Sequence, residues 1–282
     1  MPPTSTNIYP TLRYRDAPAA IAWLCDAFGF HKVMVVPGEQ GTVAHAELSL
    51  GDGVIMLGSF RAGDAEPSGS LPMGAEDHGL CIFVDDPDAH YARAKAAGAD
   101  ITLEIENTDY GSRGYSVRDL EGHLWTFGTY RPELERAHPH PPRVTAYLCA
   151  KGASDAIEFY KKAFGAKEQY RMANADGAIG HATLSIGDTT LYISDEAPQF
   201  GVFSPKSLKG NSCSFVLAVD DVDAAWGRAI GAGATVERPI TDAPYGRGGW
   251  VVDPFGHRWN LMAENPGFKP EVRVDDVPGF AP

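Results

Sequence analysis

The chain has 282 residues, of which 44% are hydrophobic and 22% are charged, a composition typical of folded globular proteins. At roughly 150 residues per domain, this length predicts two domains. A formal net charge of −13 would repel phosphate backbones and anionic lipids, which argues against nucleic-acid and membrane-surface roles.

Three further features predict a cytoplasmic protein. No apolar run approaches the roughly 18 residues that a membrane span needs. The first residues, Met-Pro-Pro-Thr-Ser-Thr-Asn, have neither the basic start nor the apolar stretch of a signal peptide. The four cysteines are scattered along the chain, which predicts reduced thiols rather than disulfides.

The first predicted element is a strand at 8–14, where β-branched and aromatic residues alternate with others. A helix follows. We expect Asp16 to cap its free amides, and Gly29 to end it in a left-handed turn. Two strands follow, and the second of them ends at a hairpin turn at 51–53. A fourth strand then spans 54–57. This order of elements is a βαβββ unit.

A second βαβββ unit is predicted directly afterwards. A strand at 80–84 leads into a helix that Asp86 caps and Gly98 ends, and three more strands follow. The adjacent carboxylates of Asp85 and Asp86 are therefore interpreted as a helix start rather than a catalytic pair.

The whole pattern then recurs, with matches in the same order over more than a hundred residues. His45 recurs as His181, Asp86 as Asp221, Tyr110 as Tyr245 and Trp125 as Trp259. In the second copy, Ser154 is the predicted cap of the first helix. We therefore predict an α+β protein of two modules, at 1–130 and 143–265, with a proline-rich linker at 131–142 and a tail at 266–282.

Several motifs carry a family resemblance. Both copies contain Asp-x-x-Gly-His-x-Trp, at 119–125 and 253–259, and the second contains Ala-Ile-Glu-Phe-Tyr at 156–160 and Ile-Gly-His-Ala at 179–182. The chain resembles the vicinal oxygen chelate superfamily of glyoxalase I, bleomycin-resistance proteins, fosfomycin-resistance enzymes and extradiol dioxygenases. The second module resembles its PhnB-like branch. The resemblance implies paired βαβββ units whose curved mixed sheets enclose a groove shared by the modules.

The resemblance also implies four positions that hold a divalent metal in enzymes of this superfamily. They fall on Tyr9, Glu47, Gly79 and Thr126 in the first module, and on Thr145, Thr183, Ser214 and Asn260 in the second. Of these, Glu47 alone is a competent ligand, and His78 lies one residue from its position, where its side chain would face the other way. A catalytic metal needs about three ligands, so we expect no cofactor. A divalent metal on a non-standard site of His45, Glu47 and His181 is left open.

The predicted ligand groove has two kinds of lining. Strand alternation places His45, Glu47 and Ser49 on one face of their strand, and His181 on the same face of its own. Tyr-Gly turns followed by an arginine and an aromatic residue offer close backbone approach, a planar cation and a stacking ring. The predicted ligand-binding residues are Tyr9, Tyr110, Arg113, Tyr115, Thr126, His181, Tyr245, Arg247, Trp250 and Asn260. Trp125 and Trp259 are predicted in the helix-side cores.

These features predict a binding protein rather than an enzyme. The first hypothesis is metal-free binding of a small aromatic compound, such as an antibiotic or metabolite. The alternative is a glyoxalase-like lyase or isomerase with Glu47 as the base, oriented by His45, with or without a divalent metal. A third is an interaction module with a vestigial groove. The expected partner is a small-molecule ligand, not nucleic acid or membrane. The modules are expected to pair within the chain, and a further homodimer is left open.

Overall fold

A computed structural model describes residues 8–60, 78–131 and 144–267. The predicted linker beyond Arg131 and the predicted tail beyond Gly267 lie outside these residues. We call 8–131 the N-terminal repeat and 144–267 the C-terminal repeat. The chain forms two compact units, one mainly from residues 12–60 and 79–131 and one mainly from residues 146–267. No helix in the described ranges is long and apolar enough to cross a membrane.

The elements confirm the predicted order. The N-terminal repeat has β1 (Ile8–Tyr14), α1 (Ala17–Phe28), β2 (His31–Pro37), β3 (Val43–Leu50), β4 (Gly53–Ser59), β5 (His78–Phe83), α2 (Pro87–Ala96), β6 (Asp100–Asn107), β7 (Arg113–Arg118) and β8 (Leu124–Gly128). The C-terminal repeat has β9 (Val144–Ala150), α3 (Ala153–Phe164), β10 (Lys167–Ala173), β11 (Ile179–Ile186), β12 (Thr189–Asp195), a short α4 (Pro205–Leu208), β13 (Cys213–Ala218), α5 (Val222–Gly231), β14 (Thr235–Ala243), β15 (Gly246–Val252) and β16 (Arg258–Glu264).

Within each βαβββ unit the strands form a four-stranded mixed sheet, in the orders β2-β3-β4-β1, β5-β8-β7-β6, β10-β11-β12-β9 and β13-β16-β15-β14. In each βαβββ unit the last three strands run antiparallel. The first strand of a unit pairs in parallel with the last, as in β5–β8, β9–β12 and β13–β16. The predicted α+β class is confirmed.

Three of the four predicted helix caps are confirmed. The carboxylate of Asp16 accepts a hydrogen bond from the amide of the third residue after it, at 3.0 Å. Asp86 and Asp221 do the same at 3.0 Å and 2.9 Å. The carboxylates at these strand-to-helix junctions therefore satisfy free helix amides, as predicted from their spacing.

The predicted cap of α3 at Ser154 is wrong. The helix begins at Ala153, so Ser154 lies inside its first turn. Gly152 precedes the helix and adopts a left-handed φ of 90°. The amides of Gly152 and Ala153 donate to the carboxylate of Asp195, each at 2.9 Å. Because Asp195 lies at the end of β12, a tertiary contact replaces the local cap that the sequence pattern favoured.

Each repeat buries an aromatic core between its helices and its strands. Trp125 and Trp259 are fully buried, as predicted. The Trp125 ring lies 5.5 Å from that of Phe28, and the Trp259 ring lies 4.9 Å from that of Phe164. None of the four cysteines forms a disulfide, also as predicted.

The aspartate of the recurring Asp-x-x-Gly-His-x-Trp motif organises each core. The Asp253 carboxylate accepts hydrogen bonds from the Tyr160 hydroxyl at 2.8 Å and the Trp259 indole at 3.0 Å. It also accepts from the amides of Phe255 and His257, at 2.8 Å and 2.9 Å. Burial alone would raise the pKa of Asp253, but the adjacent His257 and these hydrogen bonds hold it below its ordinary value.

Asp119 has the same role in the N-terminal repeat. Its carboxylate accepts from the Tyr14 hydroxyl at 2.6 Å and the Trp125 indole at 3.1 Å, and from the amides of Glu121 and His123 at 3.0 Å. The motif that suggested the family is therefore a structural clamp, which ties its turn to β1 through Tyr14 in the N-terminal repeat and to α3 through Tyr160 in the C-terminal repeat.

Candidate functional site

The sheet faces opposite the helices carry the polar residues that strand alternation predicted. On β11, Ala182, Leu184 and Ile186 are buried on the helix side, and His181 and Thr183 lie on the other face. On β3, His45, Glu47 and Ser49 alternate in the same way with core residues. Position by position, Thr183 in the C-terminal repeat therefore corresponds to Glu47.

His181 is the centre of a hydrogen-bonded cluster on this face of the C-terminal repeat. Its Nδ1 lies 2.7 Å from the hydroxyl of Tyr147 on β9, and its Nε2 lies 3.1 Å from Thr183 Oγ1. A neutral imidazole has one N–H, so one ring nitrogen donates and the other accepts. Burial lowers the pKa of His181. The ring is therefore held in a fixed orientation as a neutral hydrogen-bonding group.

Tyrosine rings surround this histidine. The ring centroids of Tyr192 and Tyr147 lie 5.1 Å and 5.3 Å from that of His181, and the Tyr170 centroid lies at 6.2 Å. On edge strand β10, Tyr170 is the cross-strand partner of Thr183, and Met172 is the partner of His181. Cross-strand partners share a face. We call Tyr147, Tyr170, Met172, His181 and Tyr192 the His181 platform.

Exposure varies sharply across the platform. Tyr192 is 4% exposed, whereas Tyr170 and Met172 are 55% and 48% exposed. A fixed polar centre therefore lies next to an accessible aromatic and thioether surface, the combination that small-molecule sites use for orientation and contact area.

The N-terminal repeat has a different set of side chains at the same positions. His45 Nε2 lies 3.2 Å from Glu47 Oε1, and both side chains are partly exposed, at 36% and 27%. Their cross-strand partners on β2 and β4 are Val36, Met34 and Met56 rather than tyrosines. The structure thus brings the two predicted catalytic residues together, and their catalytic role stays a prediction.

The donors in the described residues do not fit a catalytic divalent metal. His45 and Glu47 offer one nitrogen and one carboxylate, where such a metal needs about three protein ligands. Within residues 8–60, 78–131 and 144–267 there is no group of three His, Cys, Asp or Glu side chains placed to hold a metal. A divalent metal on the non-standard site of His45, Glu47 and His181 stays an open alternative. His78 begins β5, and its side chain lies outside the described part.

The structure corrects the prediction that Tyr115 lines a ligand groove. Tyr115 is 1% exposed and its hydroxyl lies 2.6 Å from His90 Nδ1, in the helix-side core. The sequence comparison matched Tyr115 with Trp250, but the strand register matches it with Gly249, because each pairs with a core residue of the next strand. An alignment slip of one residue exchanges the two faces of a strand.

Arg113 and Arg247 also lie on the helix side, so their predicted place in a groove is wrong. The Arg113 guanidinium donates to both carboxylate oxygens of Asp88 in the first turn of α2, at 2.7 Å and 2.6 Å. Arg247 pairs with Asp223 in the first turn of α5 at 2.9 Å, and with Asp242 at 3.1 Å. Both arginines connect a strand to the start of a helix.

For the remaining predicted ligand-binding residues, contact with a ligand stays a prediction. Tyr110 and Tyr245 are 66% and 56% exposed, in the turns before β7 and β15. Tyr9 alternates with the buried Ile8 and Pro10 on β1. Thr126, Trp250 and Asn260 lie on the sheet faces opposite the helices.

Comparison with known proteins follows the same division into two repeats. The sequence model of the Glyoxalase/Bleomycin resistance protein/Dioxygenase superfamily matches residues 8–127 and 143–261. The chain belongs to this superfamily. An uncharacterized protein of Mycobacterium tuberculosis strain H37Rv is 39% identical over 143 residues, which cover 46% of this chain and 84% of that protein. An uncharacterized Arabidopsis thaliana protein is 33% identical over 123 residues, covering 41% of this chain and 73% of that one.

Solved structures of this superfamily show the same fold over almost the whole chain. Glyoxalase I from Zea mays has a TM-score of 0.68 at 18% identity, covering 92% of this chain and 93% of that one. A putative dioxygenase from Bacillus subtilis has a TM-score of 0.63 at 11% identity, covering 94% and 87%. At these identities the likeness concerns the fold alone, and the PhnB-like character of the C-terminal repeat stays a prediction.

Most of the His181 platform was missed from the sequence. Tyr147 and Tyr192 follow the same alternation that singled out His181, so extending the pattern to β9 and β12 would have found them. Tyr170 and Met172 follow a bulge in β10, which shifts the register between residues 168 and 170. A bulge leaves no clear periodic signal in a sequence.

Proposed function

We propose that this member of the superfamily binds a small molecule with an aromatic ring at the His181 platform, without a metal. The observation that carries the proposal is the contrast between Tyr170, more than half exposed, and the adjoining hydrogen-bonded chain of Tyr147, His181 and Thr183. The exposed ring offers a stacking surface, and the fixed chain offers directional hydrogen bonds.

Tyr147 is the orienting residue of this site. Its hydroxyl fixes the His181 ring through Nδ1, and the burial of the ring keeps His181 neutral. Because both ring nitrogens are engaged within the chain, the directional hydrogen bonds to a ligand come from the hydroxyls of Tyr147 and Thr183, since a hydroxyl both donates and accepts. The site therefore favours neutral or weakly charged aromatic ligands with one polar group.

Calorimetric titration with a panel of aromatic antibiotics and metabolites tests the proposal. We expect at least one compound to bind saturably to the metal-stripped chain, and Tyr170→Ala to weaken it about tenfold through loss of ring stacking. Phe200→Ala is the matched control, since Phe200 is an exposed ring in the same repeat, at 79%, and is not part of the platform. No saturable binding, or equal loss in both variants, would contradict the proposal.

The His45–Glu47 contact of 3.2 Å favours a second candidate, a glyoxalase-like lyase or isomerase. Glu47 would take a proton from a carbon next to a carbonyl and return it to the adjacent position, with His45 holding the carboxylate. The test is turnover of the methylglyoxal–glutathione hemithioacetal, with metal content measured after purification without a chelating resin. Turnover that Glu47→Gln abolishes, and Ser49→Ala does not, would support it. Absence of turnover with and without added Zn²⁺ or Ni²⁺ would refute it.

A further inference from the structure

Asn260 carries a polar atom that the fold does not satisfy. It lies on β16 between Trp259 and Leu261, which are both fully buried in the helix-side core, so its side chain is on the opposite face. Its Oδ1 is buried and accepts no hydrogen bond in the described part of the chain. Since nearly all buried polar groups in native proteins have partners, this oxygen is placed for a donor from outside the chain.

An aromatic ring lies beside this amide. Trp250 on β15 is the direct cross-strand partner of Asn260, and the two share a face. The guanidinium carbon of Arg258 lies 5.2 Å from the centre of the Trp250 ring, and Glu237 holds that arginine at 2.8 Å. The guanidinium carbon of Arg238, the cross-strand partner of Trp250 on β14, lies 6.0 Å from the same ring centre, and the indole remains partly accessible.

The N-terminal repeat shows that the fold itself does not require this arrangement. The corresponding cross-strand pair is Ser116 and Thr126, whose hydroxyls lie 3.0 Å apart and satisfy each other. In the C-terminal repeat an amide and an indole replace the two hydroxyls. Gly248 keeps a further side chain away, because a Cβ there would lie 3.1 Å from Asn260 Oδ1.

We infer that Asn260 and Trp250 form a second ligand site, separate from the His181 platform, for a planar ring with an N–H next to a carbonyl. A carboxamide presents an acceptor and a donor side by side in one plane, which matches the edge of a cyclic amide. The same pairing lets asparagine recognise the edge of a nucleobase. The indole of Trp250 supplies the stacking surface for the ring.

A matched pair of probes tests this inference. 2-Quinolone has the cyclic amide edge, and N-methyl-2-quinolone has the same ring without the N–H. By titration calorimetry of the full chain, we expect 2-quinolone to bind about tenfold more tightly, because the methylated probe leaves Asn260 Oδ1 unpaired. Asn260→Leu should remove the difference, as should Asn260→Thr, which copies Thr126. Ser116→Ala, which changes the corresponding cross-strand pair in the N-terminal repeat, is the control and should preserve it.

Thermal unfolding gives a second readout that does not depend on the probe. Asn260→Leu should raise the Tm, because it removes an unsatisfied buried oxygen, whereas Ser116→Ala removes a hydrogen bond and should not. Equal affinity for the two probes, or a preference that survives in both Asn260 variants, would overturn the inference. Tyr170→Ala should leave the preference for 2-quinolone over its N-methyl derivative unchanged, so failure here and failure of the His181 platform are separate results.

Discussion

His90 is expected to make the stability of the N-terminal repeat depend on pH. It lies in α2, is 6% exposed, and has both ring nitrogens engaged, with Nε2 3.0 Å from the carbonyl oxygen of Phe28 and Nδ1 2.6 Å from the Tyr115 hydroxyl. Nε2–H donates to the carbonyl and Nδ1 accepts from Tyr115, which fixes a neutral ring. Burial lowers the pKa of His90 to about 4, although the bond to Phe28 opposes this, and Arg93 lowers it further.

The sign and size of this pH dependence follow from the protons that His90 binds in the folded and unfolded states. Histidine in the unfolded chain binds its proton near pH 6.5, so between pH 6.5 and 4 the unfolded state holds more protons than the folded state. The free energy of unfolding is therefore constant above pH 6.5 and falls as the pH drops below it. The whole effect is about 3 kcal/mol, of which about 2 kcal/mol has been lost at pH 5.

Urea unfolding followed by circular dichroism at pH 8 and pH 5 measures this loss. His90→Gln keeps a donor and an acceptor without titrating in this range, so its pH dependence should be smaller than that of the wild type by about 2 kcal/mol. The lowered pKa of His181 changes the unfolding free energy of both proteins in the same direction. This contribution therefore cancels when the variant is compared with the wild type. His31→Gln, at an exposed site, is the control. If His90→Gln keeps the full wild-type dependence, or if an NMR titration shows the folded His90 protonating near pH 6.5, the reasoning is wrong.

Three further predictions concern stability measured by urea unfolding. Asp253→Ala should lower the unfolding free energy by about 3 kcal/mol or more, because it leaves the buried Tyr160 and Trp259 donors unpaired; a loss below 1 kcal/mol would argue against the clamp. Gly249→Ala should lower it by about 1–3 kcal/mol, since its Cβ would lie 2.6 Å from Trp226 Cζ3. Gly227→Ala in α5, where a Cβ meets nothing within 4 Å, should instead raise it by about 0.5–1 kcal/mol, and a decrease would contradict the predicted helix preference.

The fold was predictable because its signals are local and occur twice. Capping aspartates such as Asp86 and Asp221 lie at fixed distances from the helices that they start, and strand alternation shows which face carries His45 and His181. The repeat confirms each signal independently, since the same residue types recur at the same structural positions.

The errors arose where the decisive partner is distant in sequence or the register shifts. The cap of α3 comes from Asp195, 42 residues beyond Ala153, so no local pattern shows it. Tyr115 was matched with Trp250 because the two repeats differ by one residue in length before this strand. Trp226 fills the space that a side chain at 249 would take. Only the three-dimensional packing shows that the ring of Trp226 occupies the volume beside Gly249.

The aspartate clamp has a consequence for how this protein could have diverged after duplication. Trp259 is tied to Asp253 on the helix side, while its neighbour Asn260 faces the other way and has no part in that clamp. Folding and recognition thus depend on alternate residues of the same strand. The pair on this face can therefore differ between the copies, two hydroxyls in the first and an amide and an indole in the second, at little cost to the core of either.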